Sequence, residues 1–246
     1  MARLISVITP VHAPSAEYLP DAYRSLKAQE LPDGWQWQWV IQADGETNLI
    51  TPHLPDDPRI DFGQGRHGGP GVARTLALSR AHGEYIKVLD ADDILTPGSL
   101  TRDLTVLNEK PDIGWTTSRV LDLLPDGSTI GFDQDPPEGR LDRGVVFKHW
   151  RTHDYRAQVH PATLCVRREL LLALGGWMAL PASEDTGLLL SLNTVSHGWF
   201  NREVGLLYRK WPGQSTAQPA HSHEGERAAR MAVIEARIEA LAALIS

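Results

Sequence analysis

The feature that most constrains this chain is an apolar stretch that ends in a cluster of aspartates. Residues 85–89 are rich in β-formers and predict a short buried strand, and Asp90, Asp92 and Asp93 follow it directly. Three carboxylates within four residues repel one another unless a cation lies among them. In an open α/β sheet, ligands bind at the carboxyl edge of the strands. The pattern therefore predicts a divalent metal site that holds a polyanion such as a nucleotide diphosphate.

The same aspartates also have a simpler interpretation. Aspartate is a common turn and helix-cap residue, and a predicted helix follows Pro97. An acidic turn that caps this helix would need no metal. Both interpretations stay open on these residues alone.

Composition limits the class of protein. The 246 residues suit one large domain or two closely joined halves, and 41% hydrophobic with 22% charged residues is ordinary for a globular protein. A net charge of −7 without a basic cluster argues against a nucleic-acid-binding protein. The single cysteine, Cys165, excludes an internal disulfide, is expected in the core and fits a reducing cytoplasm.

Hydropathy predicts no membrane-spanning segment and no signal peptide. No stretch approaches the roughly 18 apolar residues that a bilayer requires, and the chain enters a predicted strand almost at once. We therefore expect a cytoplasmic protein whose association with a membrane, if any, is peripheral.

The first half of the chain alternates predicted strands and helices. Strands are expected at residues 4–9, 35–41, 59–62 and 85–89, and helices at residues 18–29 and 72–82. This alternation predicts an α/β fold with an open, mostly parallel sheet flanked by helices.

Two local patterns in this half have open interpretations. Trp35, Trp37 and Trp39 occupy alternate positions, which favours packing of one strand face on a helix over a sugar-stacking surface. The glycine-rich residues 63–71 do not form a dinucleotide fingerprint, because the N-terminal βαβ unit lacks that motif. They predict a flexible loop that brings Arg74 and helix N-terminal amides toward an anion or a base.

The second half is less regular. The sequence predicts helices at 100–107, 168–174 and 186–193, strands at 114–120, 145–147, 160–166 and 204–208, and a hairpin or mobile loop at 122–143. Ser183 is expected to cap the helix at 186–193, with Glu184 and Asp185 in its first turn, and capping alone would explain these two acids.

The chain closes in an amphipathic helix. Its apolar stripe is formed by Met231, Ile234, Ile238, Leu241 and Ile245. Packing of this stripe on its own domain is favoured over a short coiled coil that would make a homodimer, since two heptads are few.

Several segments, in this order, resemble the family 2 glycosyltransferases, which are inverting, metal-dependent enzymes of the GT-A fold. The matching sequences are ISVITPVH from Ile5, ADG from Ala43, GVARTLALSRAHGEY from Gly71, LDADD from Leu89, GGW from Gly175 and the pair Glu184-Asp185. The resemblance covers residues 3–215 and is strongest in the first half. It implies a nucleotide-sugar (donor) half at 1–115, an acceptor-binding half at 116–215, and a tail with a helix at 216–246.

The resemblance also implies roles for individual residues. Thr9 and Pro10 would line the nucleobase pocket, and Asp44 and Arg74 would contact the base. Asp90 would touch the ribose or the metal shell.

The remaining implied roles concern metal and catalysis. Asp92 would bind Mn²⁺ or Mg²⁺ across the donor diphosphate, and Asp185, supported by Glu184, would act as the general base.

The sequence departs from the family pattern at three positions. Ala43 replaces the first of two consecutive aspartates, and Thr75 replaces an asparagine. Trp211 stands where the family often has a histidine that can ligate metal. His221 or His223 could substitute for that ligand, but histidines in a polar loop are more often simply solvated.

The function that the resemblance implies is transfer of a sugar from a nucleotide-diphosphate sugar to an acceptor hydroxyl. The acceptor would be a glycan, a lipid-linked molecule or a natural-product intermediate. Two alternatives stay open, namely a sugar-nucleotide-binding protein without catalytic activity and a metal-dependent hydrolase that uses the same aspartates. A sugar-nucleotide pyrophosphorylase is disfavoured, because its glycine-rich start is absent after Leu4.

Overall fold

The structure is a computed structural model that describes residues 2–214 and 224–245. In these residues the strands are β1 (Arg3–Val11), β2 (Trp35–Ala43), β3 (Ile60–Gly63), β4 (Tyr85–Val88), β5 (Ile94–Leu95), β6 (Ile113–Leu123), β7 (Thr129–Ile130), β8 (Gly139–Leu141), β9 (Cys165–Arg167) and β10 (His197–Arg209). The helices are α1 (Leu19–Lys27), α2 (Pro70–Ala77), α3 (Ser99–Glu109), α4 (Val145–Thr152), α5 (Arg168–Ala173), α6 (Glu184–Val195) and α7 (Glu224–Leu244).

All ten strands belong to one open sheet. Its order is β3-β2-β1-β4-β9-β6-β10-β5, with β7 paired to β6 and β8 paired to β10. The first four strands in this order are parallel, as the sequence predicts. The second half is mixed, because β9 runs antiparallel to both β4 and β6 while β6 and β10 run parallel. The α/β fold class is therefore confirmed. Four adjacent parallel strands come from the first half of the chain, and the β6–β10 pair adds a parallel pairing in the second half.

The parallel strands determine where a ligand site can form. β1, β2 and β4 all end at the same edge of the sheet. The first residues beyond these ends include His12, Asp44 and Asp90. Residues that are distant in sequence are thereby brought to one edge.

The alternating tryptophans of β2 belong to the core. Trp39 is fully buried, and Trp35 and Trp37 pack in the same cluster as Leu26 of α1. The guanidinium of Arg59 covers the Trp37 ring at 3.5 Å from its centroid. Packing of the strand face on a helix is thus confirmed, and a sugar-stacking surface at these residues is wrong.

Two local predictions in the second half are wrong. Residues 145–147 begin the helix α4, because Val146 and Trp150, four residues apart, bury one helical face that a three-residue apolar stretch does not reveal. Residues 161–163 form a short 3-10 turn, so the strand predicted from residue 160 contains only Cys165–Arg167. The hairpin predicted within 122–143 is confirmed, since β7 folds back onto β6.

The C-terminal helix packs on its own chain. Met231, Ile234 and Ile238 of α7 are buried in the cluster that contains α6, as favoured by their spacing. A homodimer stays a prediction. None of the described helices is long and apolar enough to cross a bilayer.

Candidate active site

A cavity of about 370 Å³ lies at the carboxyl edge of the parallel strands. This volume is within the usual range of ligand pockets, roughly 300–1,000 Å³. Its walls come from both halves of the chain and include Pro10, His12, Asp44, His67, Gly68, Gly69, Arg74, Asp90, Asp92, Ser183, Glu184, Asp185, Tyr208 and Gln214. The aspartates after β4 therefore face the acids at the start of α6 across one space.

Arg74 joins the two walls of the cavity. Its guanidinium donates to Asp90 at 2.6 Å and to Glu184 at 3.0 Å, and its side chain is only 5% exposed. Burial opposes the charge of Arg74, but the carboxylates of Asp90 and Glu184 outweigh burial and raise its pKa. Arg74 therefore stays cationic and connects the cavity wall that carries Asp90 to the wall that carries Glu184.

The acids at the start of α6 differ in environment. Burial, together with neighbouring Asp185, raises the pKa of Glu184 to about 7 against the opposing effect of Arg74. Asp185 accepts the backbone N–H of Thr186 at 2.6 Å. Ser183 makes no side-chain cap and adopts φ of 63°, a left-handed conformation that serine rarely has. The predicted serine cap is therefore wrong, and a strained residue borders the cavity, as is common at functional sites.

The glycine-rich loop is held by a carboxylate. Asp44 accepts the backbone N–H groups of Gly68 at 2.6 Å and Gly69 at 3.1 Å, and His67 Nδ1 lies 3.1 Å from its second oxygen. The amides that precede α2 therefore already have an anionic partner in the protein. The loop adopts a fixed turn beside the cavity.

Asp92 is held by the segment that follows β10. The indole N–H of Trp211 donates to Asp92 Oδ2 at 2.6 Å. Burial raises the pKa of Asp92, and this hydrogen bond opposes the rise. Trp211 thus stabilises the anionic form of a carboxylate that lines the cavity.

Asp93 differs from its two neighbours. It is fully buried, and its Oδ1 accepts the backbone N–H of Arg209 at 3.0 Å. Burial, with Asp92 and Asp90 nearby, raises the pKa of Asp93 well above its usual range. The Asp90–Arg74 ion pair offsets part of the repulsion within the cluster, and of the three aspartates only Asp90 and Asp92 line the cavity.

One protein family matches the part of the chain that contains the parallel strands. The profile described as Glycosyl transferase family 2 matches residues 6–143, which is more than half of the chain. This chain belongs to glycosyl transferase family 2. The matched residues contain β1, β2, α2 and β4, so the family region supplies Asp44, Arg74, Asp90 and Asp92 to the cavity, whereas Glu184 and Asp185 lie beyond it.

The curated relatives are longer than the segment that aligns with this chain. The chain is 29% identical over 188 residues to "Uncharacterized glycosyltransferase MJ1057" of Methanocaldococcus jannaschii, covering 74% of this chain and 62% of that protein. It is 28% identical over 163 residues to the chondroitin synthase of Pasteurella multocida, covering 63% of this chain and 16% of that protein. The chain thus spans less than two thirds of the length of these relatives.

Solved structures confirm the GT-A fold. S. aureus TarS 1–349 superimposes with a TM-score of 0.67 at 18% identity, covering 89% of this chain and 61% of that chain. The mannosyltransferase PcManGT of Pyrobaculum calidifontis superimposes with a TM-score of 0.53 at 16% identity, covering 85% and 57%. At these identities the likeness concerns the fold alone.

The structure brings most of the residues implied by the family resemblance to the cavity. Pro10 lines it, but Thr9 lies behind the wall, where its hydroxyl donates to the Leu89 carbonyl at 2.6 Å and accepts the indole N–H of Trp39. The remaining residues that reach the cavity are Asp44, Arg74, Asp90, Asp92, Glu184 and Asp185. His221 and His223 lie outside the described residues.

Thr75 has a structural role that the sequence does not reveal. Its hydroxyl accepts the backbone N–H of Trp177 at 3.0 Å, and a Cβ on Gly176 would come within 2.9 Å of that hydroxyl. The threonine found in place of the family's asparagine therefore connects α2 to the GGW segment.

Sequence reasoning missed His12, Tyr208 and Gln214, which line the cavity, and marked position 211 only as a departure from the family pattern. Burial lowers the pKa of His12, whose Nε2 is buried with no hydrogen-bond partner among the described residues. Burial, with Asp93 and Asp90 nearby, raises the pKa of Tyr208, so its hydroxyl remains a donor. The one available signal is position, because His12 follows the end of β1 and the others lie at or just after the end of β10.

Replacing Gly71 with alanine is expected to destabilise the protein. The added Cβ would lie 2.6 Å from Glu184 Cγ and 2.9 Å from the Met178 carbonyl, and Glu184 is held by Arg74. Overpacking of this kind costs about 1–3 kcal/mol, more than the roughly 1 kcal/mol that alanine can gain in helix propensity. Urea denaturation would measure the loss.

The exposed Leu76 of α2 provides the control for this variant. Leu76→Ala is expected to change the free energy of unfolding by less than about 0.5 kcal/mol. Equal stability of Gly71→Ala and wild type would contradict the close contact between α2 and Glu184.

Proposed function

We propose that this chain transfers a sugar from a nucleotide-diphosphate sugar to an acceptor hydroxyl with inversion at the anomeric carbon. The observation that carries the proposal is one cavity at the sheet edge with Asp90 and Asp92 on one wall and Glu184 and Asp185 on the other. Residues 1–115 would bind the donor and residues 116–215 the acceptor. Family membership and the GT-A fold support this reading.

The charge of the cavity supports a divalent cation. Among the described lining residues, Asp44, Asp90, Asp92, Glu184 and Asp185 face a single guanidinium, that of Arg74. A diphosphate would be repelled from such a cavity unless cations accompanied it. PcManGT was solved with GDP-Man and Mn²⁺, and TarS with UDP-GlcNAc.

The residues present fit Mn²⁺ or Mg²⁺. No group of three or more potential ligands is arranged for a metal within residues 2–214 and 224–245. Mg²⁺, however, commonly uses one or two carboxylates and completes its shell with substrate phosphates and water, which Asp92 with Asp90 could provide. When bound, the cation would neutralise charge that develops on the departing diphosphate.

Side chains of the protein would provide proton transfer and substrate orientation. Asp185, held by the Thr186 N–H, would accept the proton of the acceptor hydroxyl as general base. Arg74 would keep Glu184 and Asp90 at a fixed separation, so that donor and acceptor meet in one orientation. The Tyr208 hydroxyl, whose pKa burial raises still further above neutrality, would donate a hydrogen bond to a substrate oxygen.

Aromatic rings on the acceptor side favour a carbohydrate acceptor. Tyr208 packs on His160 with 4.9 Å between ring centroids, and the exposed Phe132 lies 6.4 Å from His160. Rings of this kind provide large apolar faces with polar edges, against which a sugar ring can pack. A lipid-linked glycan or a glycosylated natural-product intermediate would fit this arrangement.

Calorimetric titration with UDP, GDP and dTDP, each with and without Mn²⁺, tests the proposal. We expect one diphosphate to bind tightly only with Mn²⁺, and Asp92→Ala to lose that metal-dependent binding because its carboxylate is the principal ligand. Asp133→Ala, which removes an exposed aspartate of the second half, is the control and should bind as wild type does. Absence of binding by wild type under every condition would contradict the proposal.

A further inference from the structure

We propose that Trp211 is a positioning residue for the metal-binding carboxylate of Asp92. The inference rests on the proposed function, because it concerns how Asp92 would present an oxygen to a divalent cation. An indole N–H can only donate a hydrogen bond and cannot ligate a metal. Trp211 therefore acts on the cation through Asp92.

The hydrogen bond between these residues is short and directed. Trp211 Nε1 lies 2.6 Å from Asp92 Oδ2. A donor on Oδ2 restricts rotation of the carboxylate, and Oδ1 remains for a cation. Asp92 lines the cavity, so the oriented carboxylate is accessible to a ligand.

The indole ring is itself held in place. It packs against the ring of Tyr18 with 5.2 Å between centroids. A Cβ on Gly213 would lie 2.0 Å from a carbon of the indole, so the ring occupies space that only glycine at this position leaves free. The ring position is therefore a property of the packing around it.

The main chain of Asp92 is held by the same segment. Arg209 Nε donates to the Asp92 carbonyl at 2.8 Å, and its guanidinium also donates to Asp21 at 2.8 Å. Arg209 and Trp211, two residues apart at the end of β10, thus hold the backbone and the side chain of Asp92. This double attachment leaves the carboxylate little freedom before a ligand arrives.

The physical consequence is a pre-oriented ligand. Carboxylates that bind metals are commonly held by hydrogen bonds from the surrounding protein, and removing such a partner typically weakens metal affinity about 10–100-fold. Trp211, found where the family often has histidine, would thus have a role in orienting Asp92. Residue 211 would supply no metal ligand itself. Its indole would instead orient the Asp92 carboxylate, which is the ligand.

The test measures Mn²⁺ affinity by electron paramagnetic resonance, in the presence of whichever of UDP, GDP and dTDP the wild-type protein binds. Trp211→Phe keeps an aromatic ring and removes the N–H, so we expect Mn²⁺ affinity to fall about 10–100-fold. Trp199→Phe, at the opposite end of β10, is the matched control and should leave Mn²⁺ affinity unchanged. Melting temperatures without metal would show that both variants fold.

A second variant displaces the indole without removing it. Gly213→Ala places a methyl group where the ring lies, so Mn²⁺ affinity should fall in the same direction. If folded Trp211→Phe binds Mn²⁺ as tightly as wild type, the positioning role is wrong. Tighter binding would also overturn it, since the indole would then compete with the cation. Failure of wild type to bind Mn²⁺ with any of the three diphosphates would instead refute the proposed metal use, and this inference with it.

Discussion

Replacing Asp185 with asparagine is expected to remove most sugar transfer while nucleotide binding is retained. Asparagine has nearly the same shape, and its carbonyl oxygen can still accept the Thr186 N–H that holds Asp185 at 2.6 Å. It cannot accept a proton from the acceptor hydroxyl. Loss of a general base costs roughly 10²–10⁴ in rate, so kcat should fall by that factor, with an unchanged Kd for the nucleotide diphosphate in calorimetry.

Two further variants make this result specific. Glu203→Gln, an exposed acid on β10, should transfer sugar as wild type does. Glu184→Gln should weaken the connection to Arg74 and lower activity by a smaller factor, because Glu184 supports Asp185 in the proposed mechanism. Wild-type turnover by Asp185→Asn, together with an inactive Glu184→Gln, would move the role of base to Glu184.

The parts of this fold that the sequence predicts are those fixed by local patterns. Alternating or continuous apolar residues predict β1, β2 and β4, and their shared edge follows from parallel pairing. Aspartates directly after β4 must then lie at that edge. The location of the cavity could therefore be predicted before any contact was known.

The contacts within the site could not be predicted, because they join residues that are distant in sequence. The resemblance implies that Asp44 and Arg74 contact the base, yet Asp44 holds the turn at Gly68 and Gly69, and Arg74 joins Asp90 to Glu184. These contacts depend on how α2 packs against both halves of the chain. Local sequence patterns do not specify tertiary packing of this kind.

The different environments of the adjacent aspartates Asp92 and Asp93 could not be predicted from the sequence either. Asp92 and Asp93 are adjacent and chemically identical, but one lines the cavity while the other is fully buried. Their difference arises from the end of β10, where Trp211 donates to Asp92 and the Arg209 backbone donates to Asp93. That strand lies more than 100 residues further along the chain.

The largest loss of stability is expected from Lys87→Met. Lys87 lies in β4 and is 1% exposed, and its ammonium donates to Asp103 of α3 at 2.7 Å and to the Thr163 carbonyl at 2.8 Å. Methionine fills a similar volume but leaves the Asp103 carboxylate buried without its cation. Breaking a buried ion pair in this way costs about 3–5 kcal/mol, which urea denaturation would measure as a lower free energy of unfolding.

Two comparisons separate the missing charge from loss of packing. Arg140→Met breaks exposed ion pairs with Asp112 and Asp142 and should cost less than about 1 kcal/mol. The double variant Lys87→Met/Asp103→Leu removes both buried charges and should recover much of the loss. Recovery should stay incomplete, because Thr116 donates to Asp103 at 2.7 Å and would lose its acceptor. If the double variant were as unstable as Lys87→Met, the cost would come from packing around β4 and α3 and the unpaired carboxylate would not explain it.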